Sequence, residues 1–260
     1  MEKTKRISEE AQEMIKLKDL LTEGVYDPGV LKAVFLAGGP GSGKSFVAMG
    51  LFGIPEKINV SPYGLKMVNQ DTELETFLKK YGFGTDLDAM PDEVFRQLTD
   101  PGYADYSGMR TRTKQMSGDR LKLYTQGRLG VVIDGTGHKF GSIRKKRQSL
   151  IDMGYDAFMV FVHTDLDVAQ KRNMSRPRKL NPEIVEKSWH EVQRNKATFQ
   201  GLFGNANFLL VDNSKVLDEE QAKKKFNMLV KKGIDKFIKR PVKNHLGKKW
   251  VQKQLLLKKR

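Results

Sequence analysis

Residues 38–45 read Gly38-Gly39-Pro40-Gly41-Ser42-Gly43-Lys44-Ser45 and satisfy G-x-x-x-x-G-K-[ST] in full. Each residue type there does something that a phosphate chain requires. Gly38, Gly39, Gly41 and Gly43 let the backbone wrap closely, so that several N–H groups, that of Ser42 among them, point inward at the anion. Lys44 reaches the β- and γ-phosphates as a mobile point charge. Ser45 offers a hydroxyl to Mg²⁺. The expected ligands are therefore ATP and magnesium. A glycine-rich turn with no ligand would have no use for Lys44 or Ser45.

Two carboxylates could act beside such a loop. Asp71 follows Val68-Asn69-Gln70 at the end of an apolar run. There it can take a proton from an attacking hydroxyl or orient it, or it can cap the helix expected from residue 72, and the two roles are compatible. Asp134 ends Val131-Val132-Ile133, and an aspartate after such a strand holds Mg²⁺ directly or through water, or contacts the acceptor. Thr136, His138 and Lys139 fall at the same edge, where a lone histidine is more often structural than catalytic.

Phosphoryl transfer spreads negative charge over three oxygens, which planar guanidinium groups match. Arg172, Arg176 and Arg178 lie in one short stretch, and Pro177 turns it into an expected lid over 172–180. The competing reading is a solvated basic helix end. Tyr103, Tyr106, Ser107, Arg110 and Arg112 belong to a polar insertion over 83–118. That mixture suits an acceptor with rings and phosphates, and equally an ordinary surface loop.

Apolar runs over 33–37, 65–69, 130–134, 157–163 and 206–212 predict buried parallel strands. Helical patterns lie between most of them, over 45–52, 72–81, 117–126, 142–153, 166–174 and 182–198. The alternation predicts an α/β, three-layer α/β/α fold with a five-stranded, mainly parallel sheet, whose ligands bind at the carboxyl ends of the strands. Around this core over 25–214, residues 1–24 read as an N-terminal helix. Residues 215–260 read as a basic helical C-terminal extension, with one helix over 216–238 stopped by Pro241.

The chain has 260 residues and a formal net charge of +16. Residues 215–260 carry 16 Lys and Arg against 4 Asp and Glu, a net +12. The basicity is thus concentrated at one end, and a polyanionic partner, DNA or RNA, is the expectation. A solvated basic helix is the plainer alternative. With no cysteine, disulfides and cysteine-ligated metal sites are excluded. No apolar run is long enough for a membrane span, and the first 21 residues lack the apolar centre of a signal peptide, so the expected setting is intracellular and cytoplasmic. The Asn-Lys-x-Asp motif of GTP-binding proteins is absent. The length leaves little room for a second helicase core.

Gly38–Ser45, Asn69-Gln70-Asp71, Ser107-Gly108-Met109-Arg110, Asp134-Gly135-Thr136-Gly137 and the arginines from Arg172 to Arg178 together resemble the zeta-toxin and polynucleotide-kinase group of P-loop kinases, over roughly 33–213. The resemblance implies a kinase with Asp71 as general base, Lys44 on the phosphates, and Arg172 and Arg176 stabilising the transferred group. It also implies an adenine near Asp212 and Asn213, with Arg178 and Asn213 on the nucleotide. The acceptor is expected against Asn69, Asp71, Arg110, Arg112, Asp134 and Thr136. Zeta toxins usually have a glutamate where this chain has Asp134. Within the group the acceptor is a nucleotide sugar such as UDP-N-acetylglucosamine, a 5′-hydroxyl of DNA or RNA, or, in relatives encoded by some phages, a hydroxymethylated base. The basic C-terminal region favours nucleic acid, because neutralising the backbone supplies most nonspecific affinity.

Overall fold

Lys32–Ala37 (β1) is buried at all six positions, as a strand covered on both faces must be. A computed structural model describes it together with the rest of residues 25–54, 60–80, 82, 90–91, 93–94, 109–176, 179–215 and 217–258. The other strands are Lys66–Val68 (β2), Val131–Gly135 (β3), Asp156–His163 (β4) and Phe208–Asp212 (β5). They form one five-stranded sheet in the order β2-β3-β1-β4-β5. Every strand pair in it is parallel. An isolated antiparallel bridge, Val60 to Lys66, lies outside these pairs. The expected three-layer fold is present, with each strand within two residues of its predicted bounds.

Alternation along β1 divides the core. Val34 and Leu36 face one layer, built by Lys44–Phe52 (α1), Glu219–Leu229 (α7) and Asp235–Lys239 (α8). Ala33, Phe35 and Ala37 face the other, built by Phe140–Asp152 (α4), Pro182–Phe203 (α6) and His245–Lys258 (α9), with Leu121 and Tyr124 of Met109–Gln126 (α3). Gln70–Lys80 (α2) follows β2, and buried Glu73 on it pairs with Arg120 of α3. Leu166–Met174 (α5) follows β4.

Two expectations change. The helix placed over 117–126 begins at Met109, so the end of the 83–118 insertion is helical. The basic residues 215–260, read as an extension outside the core, contribute to both layers. Ala222, Phe226, Ile234, Phe237 and Ile238 join one, and Val242, Trp250 and Val251 the other. Their helical run passes through a π turn, Val230–Ile234, and resumes as α9 after Pro241. Sequence patterning missed α9 because lysines interrupt the apolar stripe carried by Gly247, Trp250 and Val251. The expected helix over 1–24 and most of the insertion lie outside the described residues.

A buried ion pair fixes this C-terminal run to the sheet. Lys32, 1% exposed, donates to Asp156 Oδ2 at 2.9 Å. Asp156 also accepts the N–H groups of Lys243 and Asn244, each at 2.9 Å. Burial pushes the Asp156 carboxyl up, but the Lys243 N–H, the Lys32 ammonium and the Asn244 N–H outweigh it and hold the carboxyl below its usual value. Asp156 opens β4, so α9 starts at the amino edge of the sheet, opposite the phosphate loop.

Removing one partner of a buried pair leaves an uncompensated charge. Asp156→Asn is expected to cost about 3–5 kcal/mol in urea unfolding, and Lys32→Met combined with Asp156→Asn less than that. A carboxyl held low stabilises the fold above its unfolded value and loses that contribution as pH falls through the folded one. Wild-type stability should therefore decline below about pH 4, by a component that Asp156→Asn lacks.

Candidate active site

The phosphate loop joins β1 to α1 at the carboxyl edge of the sheet. Gly41 and Gly43 have φ of +74° and +79°, which only glycine adopts freely. A side chain at Gly41 would overlap the Ala169 carbonyl, and one at Gly43 the Asn213 amide. No side chain caps α1, and its first turn carries no acid, so its N-terminal N–H groups and positive end face the loop. Lys44 Nζ donates to Gly38 O at 2.8 Å and Gly39 O at 3.4 Å, lying across the place a phosphate would take. The buried Ser42 carbonyl accepts from Asn213 Nδ2 at 2.9 Å and from Thr164 Oγ1 at 3.1 Å.

Asn69 joins the two carboxylates named from sequence. Its Oδ1 accepts the Asp71 N–H at 2.8 Å, and its Nδ2 donates to Asp134 Oδ2 at 3.0 Å. Because α2 starts at Gln70, Asp71 lies inside the first turn and Asn69 supplies the capping bond. The capping role weighed for Asp71 therefore passes to Asn69, and the Asp71 side chain is exposed at the edge. Asp134 keeps a buried Oδ1 without a hydrogen-bond partner among the described residues. Burial pushes its carboxyl up to about 6, opposed by Lys44 and reinforced by Asp71. Lys44, Asp71 and Asp134 thus share one electrostatic neighbourhood.

The described residues contain no cluster of three or more acids or histidines able to hold a metal by themselves. A nucleotide-bound magnesium needs only one or two protein oxygens, the remainder coming from phosphate and water. The orphaned Asp134 Oδ1 and the Ser45 hydroxyl at the start of α1 fit that requirement.

On the other side of the loop, a pocket of about 340 Å³ is lined by Gly43, Phe46, Arg172, Arg176, Asn213 and Leu217, among others. Arg172 donates to Asn213 O at 2.8 Å, and burial with the Arg176 charge lowers its pKa. Asn213, 4% exposed, lines the pocket, but its side-chain amide is occupied in bracing Ser42. Arg178 lies outside the described residues, as does the Arg110 side chain, while Arg112 is exposed on α3. Thr136 presents its carbonyl to Gly38 N–H at 3.1 Å, and its hydroxyl lies against His138 Nδ1.

Three site residues were missed from sequence. Thr164 holds Ser42, Trp189 Nε1 donates to Thr164 O at 2.7 Å, and Asn195 Nδ2 donates to Gly137 O and His138 O at 3.0 and 2.9 Å. Thr164 had one available signal, its position just after β4 at the ligand-binding edge. Trp189 and Asn195 had none, since they sit within a long helix and meet the site only through tertiary packing.

Residues 34–202 match the AAA domain family. The chain belongs to this family. No curated protein matches it. The solved structures similar to it include one from the PezAT chromosomal toxin–antitoxin system of Streptococcus pneumoniae, at 14% identity and TM-score 0.47, covering 90% of this chain and 98% of that one. A gluconokinase from Sinorhizobium meliloti follows at 17% and 0.41, covering 78% and 95%. The Pnkp1/Rnl/Hen1 RNA repair complex matches at 18% and 0.44, covering 65% and 46%. The assignment rests on the family match, not on these likenesses. The matched span contains the whole phosphate-loop motif, Gly38–Ser45.

The shared field of the three charged residues is open to measurement. By carboxyl NMR in the metal-free protein, Asp134 should titrate at about 6. Asp71→Asn should lower that value by removing a like charge, and Lys44→Ala should raise it by removing an opposite one. No change in either variant would place the three groups apart.

Proposed function

We propose that this AAA domain protein is a magnesium-dependent kinase that transfers the γ-phosphate of ATP to a hydroxyl on nucleic acid, either a 5′-hydroxyl or a hydroxymethylated base. The observation that carries the transfer is the Asn69 bridge, which sets Asp71 and Asp134 beside each other in the field of Lys44. Asp71 stands at the first turn of α2, exposed to an incoming acceptor, while Asp134 is turned inward. One carboxylate suits proton transfer and the other suits the cation.

In this reading the acceptor oxygen attacks the γ-phosphorus and the bond from that phosphorus to the β–γ bridging oxygen breaks, releasing ADP. The hydroxyl proton passes to Asp71. Backbone N–H groups of the loop and the start of α1 bind the phosphates. Lys44 leaves the Gly38 and Gly39 carbonyls for the phosphate oxygens. Arg172 and Arg176, across the pocket, match the charge that spreads over the transferred group. Ser45 and Asp134 would hold the cation, which would supply neutralising charge to the phosphates.

The charge of the acceptor edge supports a polyanionic acceptor. The chain runs from α3 directly into the amino end of β3, so α3 begins at the site edge, with Arg110, Arg112 and Lys114 in its first turns. Partial desolvation and then the neighbouring Lys114 charge lower the pKa of Lys146 on α4, although its side chain keeps an exposed face. Like charges held together at this edge favour a ligand carrying several phosphates. The lysines of α9 start from the opposite edge, so their contribution would be to flanking backbone rather than to the reacting end.

The deciding experiment follows γ-labelled ATP with Mg²⁺ against 5′-hydroxyl DNA and RNA, hydroxymethyluracil-containing DNA, UDP-N-acetylglucosamine and no acceptor. Label should appear on nucleic acid and fall steeply as salt rises. Asp71→Asn should keep ATP binding and lose turnover by about 10²-fold or more. Lys44→Ala should lose both. Label on the nucleotide sugar alone would overturn the nucleic-acid acceptor. Wild-type turnover in Asp71→Asn would remove Asp71 as the base.

A further inference from the structure

One helix reaches three of the turns that form the site. Val192 and Phe199 seat α6 in the core, and Trp189, Gln193 and Asn195 flank that buried stripe. Trp189 holds Thr164 O at the end of β4, and Gln193 Oε1 meets His163 Nδ1 at 3.1 Å. The backbone of Trp189 also passes beside the phosphate loop, 3.7 Å from where a Cβ on Gly39 would lie. Asn195 reaches the turn after β3. Its single amide nitrogen has two hydrogens, and it donates to two successive carbonyls, Gly137 O and His138 O.

That turn is the mechanical link between the Asp134 carboxylate and the phosphate loop. It begins at Asp134, and one residue before Gly137 the Thr136 carbonyl accepts the Gly38 N–H. Without the Asn195 amide, two carbonyls lose the side-chain donor that holds them, and the turn keeps its strand pairing, the Gly38 bond and the Thr136–His138 contact. The start of α6 is tied down as well. Asn173 clasps Leu180 from both sides, donating to its carbonyl at 2.6 Å and accepting its N–H at 3.1 Å, and Asn181 caps the helix through Glu183 N. The stretch carrying Arg176 is therefore spliced directly to the helix that holds the turn.

We propose that Asn195 is a positioning residue, fixing the Gly137–His138 turn so that Asp134 and Gly38 keep the spacing that a magnesium-bound nucleotide requires. The idea rests on the nucleotide-binding reading of the site but not on the acceptor. Asn195 touches neither phosphate nor metal, and it acts through the turn. A residue that orients a metal-holding group in this way typically changes metal affinity by about 10–100-fold when altered.

The test uses Asn195→Asp, which has the same shape but no donors, and Asn195→Ala, which removes the donors without adding charge. Amide hydrogen exchange in the nucleotide-free, metal-free protein reads the turn directly. The Gly38 amide, bonded to Thr136 O, should exchange about tenfold faster in both variants, while the Val47 amide, bonded to Gly43 O inside α1, stays unchanged. Binding of a non-hydrolysable ATP analogue should keep its affinity without magnesium but need about tenfold more magnesium for half-saturation. Asn195→Gln, which keeps both donors, should recover most of the difference. Wild-type exchange at Gly38 together with wild-type magnesium dependence would overturn the proposal. So would equal acceleration at Gly38 and Val47 with loss of magnesium-free binding, the pattern of general destabilisation. A wild-type protein that binds no analogue would instead overturn the nucleotide reading, and the exchange rates would still decide the role of Asn195.

Discussion

The parallel register of β1 against β3 and β4 is the constraint on which the rest of the molecule depends. Ala37 at the end of β1 is aligned with Gly135 of β3 and with Phe161 of β4, so three strands run out toward one edge. Parallel strands require crossovers, and those crossovers cover both faces of the sheet with helices. The same geometry delivers the phosphate loop, the Asp134 turn and the Thr164 turn to one place. β2 pairs with β3 and adds Asn69 and Asp71. No single segment contains the site: the phosphate loop, the Asn69–Asp71 segment and the Thr164 turn follow strand ends, and Arg172, Trp189 and Asn195 reach it from helices.

What gathers there opposes stability. Among the described residues, Asp134 Oδ1 and the Ser42 hydroxyl are buried without a hydrogen-bond partner, and Lys44 bonds to carbonyls of its own loop. Such groups cost free energy to bury and are suited to a ligand with oxygens and a cation. The surrounding bonds hold the loop in place meanwhile. Ser42 O is gripped by Thr164 and Asn213, and the β3 turn by Asn195. Bracing of this kind around under-satisfied polar atoms pre-organises a site for a charged ligand.

The C-terminal run has two separate physical roles. Its apolar residues complete both core layers, and its lysines give the surface its charge. The Lys32–Asp156 pair and the N–H groups of Lys243 and Asn244 join them at the amino edge. Burying the pair stabilises little by itself, but it leaves Lys32 and Asp156 no other partner of comparable quality. Where α9 docks is thereby specified.

The chemistry of the phosphate loop was legible in the sequence because eight consecutive residues carry it, and the motif is local. The five strands were legible for a similar reason, since a strand buried on both faces must be a continuous apolar run. Family membership agrees with that reading. Tertiary structure alone decided that Asn69 caps α2 in place of Asp71, that residues 215–260 belong to the core, and that Trp189 and Asn195 serve the site. The Asn69 cap is a local bond, but Asn69 is also held by Asp134 across the sheet, and the other two depend on residues far apart in the chain: Lys243 and Asn244 meet Asp156, and Asn195 meets Gly137. A sequence records which groups can form such bonds. Which of them do is settled by the packing of the helices on the sheet.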